Sequence, residues 1–311
     1  MKTTDDERQR LKRLYANLKR RALIHEVTRA FFNEQGFLEV ETPVRSPAIA
    51  PEKEIVPVES EGWFLSTSPE LYMKRLLAAG YDKIYQFSRC FRKGERGRFH
   101  NPEFTLLEWY RSGAGYEQMM QDTEQLFTAI ASRLGMGNTL RYRNKSIDLS
   151  LPWKRLTISE VFSKLAGWDP VVNPDARRFD EDTVLKVIPN LDQHRPVFLV
   201  DYPSPMASLA RLKPGNPQVA ERAEVFIGGL ELINAYSELI NPQEQAMRFR
   251  KEIERIKKEQ NRIAPMPEEF IKAIANLSEC AGIALGMDRL VMLFCDAATI
   301  DEVIPFTVDE A

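Results

Sequence analysis

The 311-residue chain is poor in the residues that anchor metals and disulfides. It has three cysteines, Cys90, Cys280 and Cys295, and three histidines, His25, His100 and His194, all far apart in sequence. With no CxxC pair, a disulfide scaffold and a thiolate zinc cluster are excluded, and a reducing compartment suits the composition. There is no apolar run of about 18 residues, so no spanning helix is expected. The opening MKTTDDERQR lacks the apolar core of a signal peptide. The expected location is therefore cytoplasmic. Net positive charge is also missing: 43 Lys plus Arg stand against 45 Asp plus Glu, a balance of −2. A polyanion-binding protein that works by overall charge is thereby excluded. No GxGxxG, GxxxxGK[ST] or GxSxG pattern occurs, so Rossmann, Walker and serine-hydrolase sites have no support.

What is present is an ordinary globular composition, 43% apolar and 28% charged, which excludes disorder for the bulk of the chain. Residues 8–21, RQRLKRLYANLKRR, carry seven basic side chains and no acid. Leu11, Leu14, Tyr15, Leu18 and Leu23 recur at helical spacing, which predicts a basic amphipathic helix continuing through Phe31 and stopping at Gly36. It is either a docking element for an acidic partner or a solvated helix on its own domain. Strands are expected at Trp63–Ser66, Lys83–Phe91, Phe104–Tyr110, Val197–Val200 and Ala223–Tyr236, and a short one at Ile283–Gly286. Helices are expected at Tyr116–Leu134, after the capping box Thr157–Glu160, from Asn241 to about Asn261, over Met266–Leu277 and from Asp288. Residues 170–196 read as a polar surface excursion. Strands without regular βαβ alternation predict an α+β fold, a mainly antiparallel sheet flanked by helices. No linker is visible, so residues 1–311 are expected to form one domain, with 1–20 a basic helical extension.

Three segments carry the chemistry. Phe91–Phe104, FRKGERGRFHNPEF, places Arg92, Lys93, Arg96, Arg98 and His100 between two strands. Arginine forks match phosphate oxygens, so this hairpin can wrap a triphosphate, with Phe104 stacked on a base; an exposed charged hairpin is the plainer reading. Next, Glu108, Glu224, Glu231 and Glu238, with Asn234, lie in strand contexts, where carboxylates are costly to bury unless they meet cations or a metal. In one continuous strand Glu231 would face away from Glu224 unless a bulge at Gly228–Gly229 re-registered it. Last, GIALGMDRLVMLF (282–294) is a small-residue strand opening into a helix. Arg289 could reach a phosphate across Gly286, or simply pair with Asp288.

These segments resemble motifs 2 and 3 of class II aminoacyl-tRNA synthetases, most closely the lysyl-tRNA synthetases. Gly36-Phe-Leu-Glu-Val-Glu-Thr-Pro43 is similar to motif 1, which in that family builds a dimer interface, and Thr67-Ser-Pro-Glu70 also matches. The similarity runs from about residue 20 to the end. Two departures point to the free-standing paralogues that ligate β-lysine to elongation factor P: no anticodon-reading OB-fold precedes the catalytic segment, and Ala284 stands where lysyl-tRNA synthetases have glycine.

The resemblance implies ATP and Mg²⁺ as cofactors, lysine or β-lysine as substrate, elongation factor P as acceptor, a homodimer, and no need of tRNA. Residue by residue, it implies that Arg92 holds the α-phosphate and the substrate carboxylate, and that Arg289 holds the γ-phosphate beside His100. Glu95, Asn101, Phe104, Glu231 and Gly286 complete the ATP site, and Glu224 with Glu231 ligates Mg²⁺. Glu70, Glu108, Tyr110, Asn234, Glu238 and Ala284 surround the substrate. The family usually has Glu at the place of Gly94; either Glu95 takes its role through a shifted loop, or the contacts are altered. Two alternatives share the pattern: a truncated synthetase that charges tRNA, and a catalytically silent regulatory paralogue.

Overall fold

The computed structural model describes residues 4–311. Among these, nine strands form the main sheet: β1 (Leu38–Glu39), β2 (Lys83–Phe91), β3 (Glu103–Ser112), β4 (Lys154–Thr157), β5 (Val197–Pro203), β6 (Leu212–Lys213), β7 (Asn216–Ile227), β8 (Leu230–Ser237) and β9 (Cys280–Gly286). Their order is β1-β2-β3-β9-β8-β7-β5-β4, with β6 beside β7. The central pairs are antiparallel; only β1 on β2 and β5 on β4, toward the two edges, are parallel. The expected mainly antiparallel sheet is thus what forms.

Strand alternation divides the sheet into two faces of opposite character. Leu107 and Trp109 of β3, Ala223 and Val225 of β7, Ile233 and Ala235 of β8, and Ile283 and Leu285 of β9 enter one apolar core. That core is closed by α1 (Thr4–Glu34), α3 (Tyr116–Arg133) and α8 (Met287–Cys295). The alternate positions, Glu108, Tyr110, Arg222, Glu224, Asn234, Tyr236, Gly282 and Ala284, take the other face. This second face is overlaid by α2 (Glu70–Ala78), α6 (Pro242–Gln260) and α7 (Glu268–Ala273) through Leu71, Leu77, Phe249 and Phe270.

The local signals act as their chemistry dictates. Thr157 and Glu160 exchange both capping-box hydrogen bonds at the start of α4 (Ile158–Leu165). Asn241 accepts from the Glu244 amide at 2.9 Å, and Asn261 ends α6 in the left-handed conformation. No helix among the described residues is long and apolar enough to cross a membrane.

Three expectations are refined. The N-terminal helix is one piece through Glu34 and is tied to the body rather than set apart from it. Arg10 reaches Glu310 and the Pro305 carbonyl, Asn17 the Glu302 carbonyl, and Arg21 Asp288; residues 1–3 of the expected extension lie outside the described residues. The 170–196 excursion contains a helix, α5 (Ala176–Asp182), and buries Phe179, Val187 and Leu191 against Phe162 and Tyr202. The Ala223–Tyr236 run is a hairpin, not one strand. Gly228 and Gly229 turn it with φ of +58° and +85°, conformations that glycine adopts without a Cβ penalty.

Gly282 is fixed by packing instead. It pairs with Tyr110 on one side and Tyr236 on the other, and a Cβ there would overlap the Tyr110 ring and lie 2.5 Å from Glu238 Oε1. Gly282→Ala should therefore destabilise the fold by about 1–3 kcal/mol, as over-packing does. Urea denaturation checks this; an unchanged midpoint would refute the close packing.

Candidate active site

The hairpin explains how the acids meet. β7 and β8 pair Glu224 with Asn234, and an irregularity between Val225 and Phe226 then pairs Phe226 with Glu231. The shift returns Glu231 to the face of Glu224, so the two carboxylates become neighbours. Loss of water around its carboxyl group, then the Glu224 charge, raises the Glu231 pKa against the pull of Arg289, although the residue as a whole stays exposed. Glu231 remains open to solvent at the mouth of the cleft, whereas Glu224 is buried. Two carboxylates on one strand face, one of them already paired with Arg222, are the donor type that Mg²⁺ takes; it accepts one or two carboxylates and fills its remaining positions with substrate oxygens. Among the described residues no set of three metal-ligating side chains gathers anywhere, so a cation here would need oxygens from a bound nucleotide.

Arg222, on the same strand face as Glu224, holds this end of the site. It donates to Glu224 Oε1 at 2.6 Å, to Asn234 Oδ1 at 3.2 Å and to the Met206 carbonyl at 2.8 Å. Its guanidinium lies 4.5 Å from the Tyr202 ring and 5.8 Å from that of Tyr236. The Asn234 amide in turn donates to Tyr236 Oη at 2.7 Å.

The cationic end comes from the loop between β2 and β3 and from α8. The Arg92 amide donates to the Pro102 carbonyl, closing the loop. The Arg92 guanidinium lies 5.0 Å from the Phe104 ring and 3.7 Å from Glu95 Oε1, and its buried Nε has no partner. An unpaired donor on a buried cation suits an anionic ligand. Gly94 turns the loop with φ +79°, which brings the next residue, Glu95, to Arg92. Arg289 donates to the Glu231 carbonyl at 2.8 Å and meets His100. It does not pair with Asp288, whose carboxylate takes Arg21 at 2.6 Å and the Thr105 amide at 2.9 Å. Burial, then Arg289, lowers the His100 pKa, leaving a neutral ring beside the arginine. Gly286 lies against the Arg289 side chain. Asn101 is bonded within its surroundings, donating to the Glu103 carbonyl and accepting from the Val308 amide.

The acid pocket lies at the other end of β9. Cross-strand pairing puts Ala284 directly between Glu108 and Asn234. Glu108 accepts from Ser68 Oγ at 2.7 Å and Tyr110 Oη at 2.8 Å. Burial, then Glu70, lifts its pKa to about 7. Glu70 opens α2, and Glu238 follows β8. Strand pairing thus puts Glu108, Tyr110, Glu224, Glu231, Asn234 and Ala284 on one sheet face, with Glu70 and Glu238 joined to it through Lys74, whereas Asn101 is buried in bonds to the Glu103 carbonyl and the Val308 amide.

Three side chains near the site escaped the sequence reading: Lys74, between Glu70 and Glu238; Arg222; and Glu52. Burial, then Glu70, raises Glu52 to about 6, and Arg92 and Arg222 pull it down. Arg222 was readable from its i, i+2 relation to Glu224, and Lys74 from its i, i+4 relation to Glu70.

Residues 7–310 match the family described as tRNA synthetases class II (D, K and N). The chain belongs to the class II tRNA synthetases. Among its curated relatives are proteins named "Elongation factor P--(R)-beta-lysine ligase". Those of Edwardsiella ictaluri and Klebsiella pneumoniae strain 342 are 36% identical, and that of Vibrio cholerae is 37% identical. Each alignment covers 95% of this chain and 96% of the relative. As a class II synthetase fold, the chain carries the family's sheet with no anticodon-binding module within its 311 residues.

Arg222→Gln should cost about 3 kcal/mol, because it leaves the Glu224 carboxylate buried without its cation. Adding Glu224→Gln should recover part of that loss. Urea denaturation of the single and double variants checks the pairing; additive losses would refute it.

Proposed function

We propose that this chain is an ATP-dependent ligase that activates a lysine isomer, β-lysine in preference to α-lysine, and transfers it to a lysine side chain of elongation factor P. The observation that carries the reading is the pocket of Glu70, Glu108 and Glu238 beside the Arg92–Arg289 cleft. Three carboxylates against the single Lys74 ammonium leave room for two positive charges, the number a lysine isomer brings. Charge-assisted hydrogen bonds of this kind contribute about 1.5–3 kcal/mol each. The printed names of the relatives support the same substrate and acceptor.

In this reading the substrate carboxylate is held by Arg92 with help from Asn234, and the adenine lies on Phe104. Arg289, with neutral His100 beside it, takes the γ-phosphate over Gly286. Glu95 and Asn101 brace the loop that carries Arg92. Glu224 and Glu231 would hold Mg²⁺, which supplies charge neutralisation at the phosphates. The carboxylate oxygen attacks the α-phosphorus and pyrophosphate leaves. The ε-amine of the acceptor lysine then attacks the acyl carbon, AMP departs with the bonding pair, and the amine gives up a proton. The protein's part is positioning and charge stabilisation. We further read the chain as one catalytic domain acting as a homodimer through the Gly36–Pro43 region, in the cytoplasm and without tRNA.

Intact-protein mass spectrometry tests the reading. Unmodified elongation factor P, incubated with the enzyme, ATP and Mg²⁺, should gain one lysyl unit, faster with β-lysine than with α-lysine. Arg92→Ala should abolish both this gain and pyrophosphate release. A label that appears on tRNA and not on the factor would sink the proposal in favour of tRNA charging. No turnover in any tube would favour the regulatory alternative.

Ala284 stands between Glu108 and Asn234 in the strand register. Ala284→Gly should raise the use of α-lysine relative to β-lysine by about 10–200-fold, the worth of one methyl in a pocket. Unchanged kcat/KM ratios would remove Ala284 from the specificity pocket.

A further inference from the structure

Lys74 is a buried cation in a pocket whose business is to bind cations. It rises from the second turn of α2, is 1% exposed, and lies with its Nζ 2.5 Å from Glu70 Oε1 and 2.5 Å from Glu238 Oε2. Glu238 is also fully buried, and its Oε1 has no hydrogen-bond partner. Gly282 gives up its side chain to the Tyr110 ring and to that same Oε1. The pocket is thus built around an acceptor left short of donors, with one internal ammonium shared by two acids.

We propose that Lys74 is a positioning and specificity-determining residue: an internal counter-ion, shared by Glu70 and Glu238, that holds both carboxylates in place to receive the ammonium groups of a diamine substrate. The inference rests on the lysine-isomer reading above and deepens it.

Charge balance supports this. Groups near Glu238 include Lys74 and Glu70 from α2, Glu108 and Tyr110 from β3, and Cys280 from β9, while Arg211, beside the Ala210 that bridges Glu238, directs its guanidinium to Glu221 and Glu279. Among the described residues, Lys74 is the cation that pairs with the Glu238 carboxylate. Burial opposes the Lys74 charge, but Glu238 and Glu70 outweigh it, so the ammonium persists. The Glu238 pKa also rises, but because of burial, with Lys74 the largest influence lowering it. One ammonium serving several acids stays charged itself without fully offsetting the burial of any one of them. A protonated Glu238 cannot pair with a substrate ammonium, so affinity for the amine is present above its pKa and lost as pH falls through it. Removing Lys74 raises that pKa further. An opposite charge at this range is worth about 1–3 pKa units.

The test is the pH dependence of pyrophosphate exchange with β-lysine. In Lys74→Met, a near-isosteric neutral change, the acid limb of kcat/KM for β-lysine should move up by about 1–3 pH units. KM for ATP should stay as in the wild type. The double variant Lys74→Met/Glu238→Gln removes both members of the fully buried pair and leaves only the part-exposed Glu70 without its cation, so it serves if the single variant does not fold; it should lose that limb. An unshifted limb in the single variant, or a wild-type profile in the double, overturns the role of Lys74. If the wild-type enzyme exchanges with neither lysine isomer, the functional reading itself fails, and that outcome is distinct.

Discussion

The structure is organised around carboxylates placed where water is scarce. Burying an ionised carboxyl without a partner is expensive, so each of these groups dictates what surrounds it. Glu224 has Arg222, Glu108 has a serine and a tyrosine hydroxyl, Glu70 and Glu238 share Lys74, and Asp288 has Arg21. At Glu108 and Glu238 burial outweighs these partners, and pKa values climb. Those deficits mark the place that a diamine would fill. Unmet electrostatic demand is what separates this site from an ordinary network of ion pairs.

The two faces of the sheet divide the work. Alternation along β3, β7, β8 and β9 sends every second residue into a core closed by α1, α3 and α8 and the others into the cleft. A shift of one residue in any of these strands would exchange the two sets. The irregularity between Val225 and Phe226 is the one place where the central hairpin uses such a shift, and there it serves the site by returning Glu231 to the side of Glu224.

Much of this was legible in the sequence where the signal is local. The capping box at Thr157, the Asn241 cap and the span Lys83–Phe91 formed as read, because turn chemistry and strand alternation act over a few residues. A bulge at Gly228–Gly229 is one way to re-register Glu231, but the pair forms a hairpin turn and the register shift lies between Val225 and Phe226. Deciding between them requires the cross-strand partner, which lies outside the window. Arg289 and Asp288 could have paired as neighbours; instead each was claimed by a distant group, the Glu231 carbonyl and Arg21. The excursion at 170–196 looked polar because its buried residues, Phe179, Val187 and Leu191, are spaced widely among charged ones. Lys74 was missed for a simpler reason. A lysine in a helix is usually a solvated one, and only the tertiary fold reveals that this one is enclosed.

The strand that carries Gly282, Ala284 and Gly286 has a consequence for how the protein is made. β9 lies between β3 and β8, with Cys280 opposite Ser112 and Leu285 opposite Ile233, so a segment late in the chain is inserted into the middle of the sheet. Until it enters, β3 and β8 are two exposed edges waiting for one partner, and the two halves of the cleft are not joined. Such long-range pairing is slow and leaves strand edges open to misassociation. Because the cleft is lined from both β3 and β8, it exists only once β9 is paired on both sides.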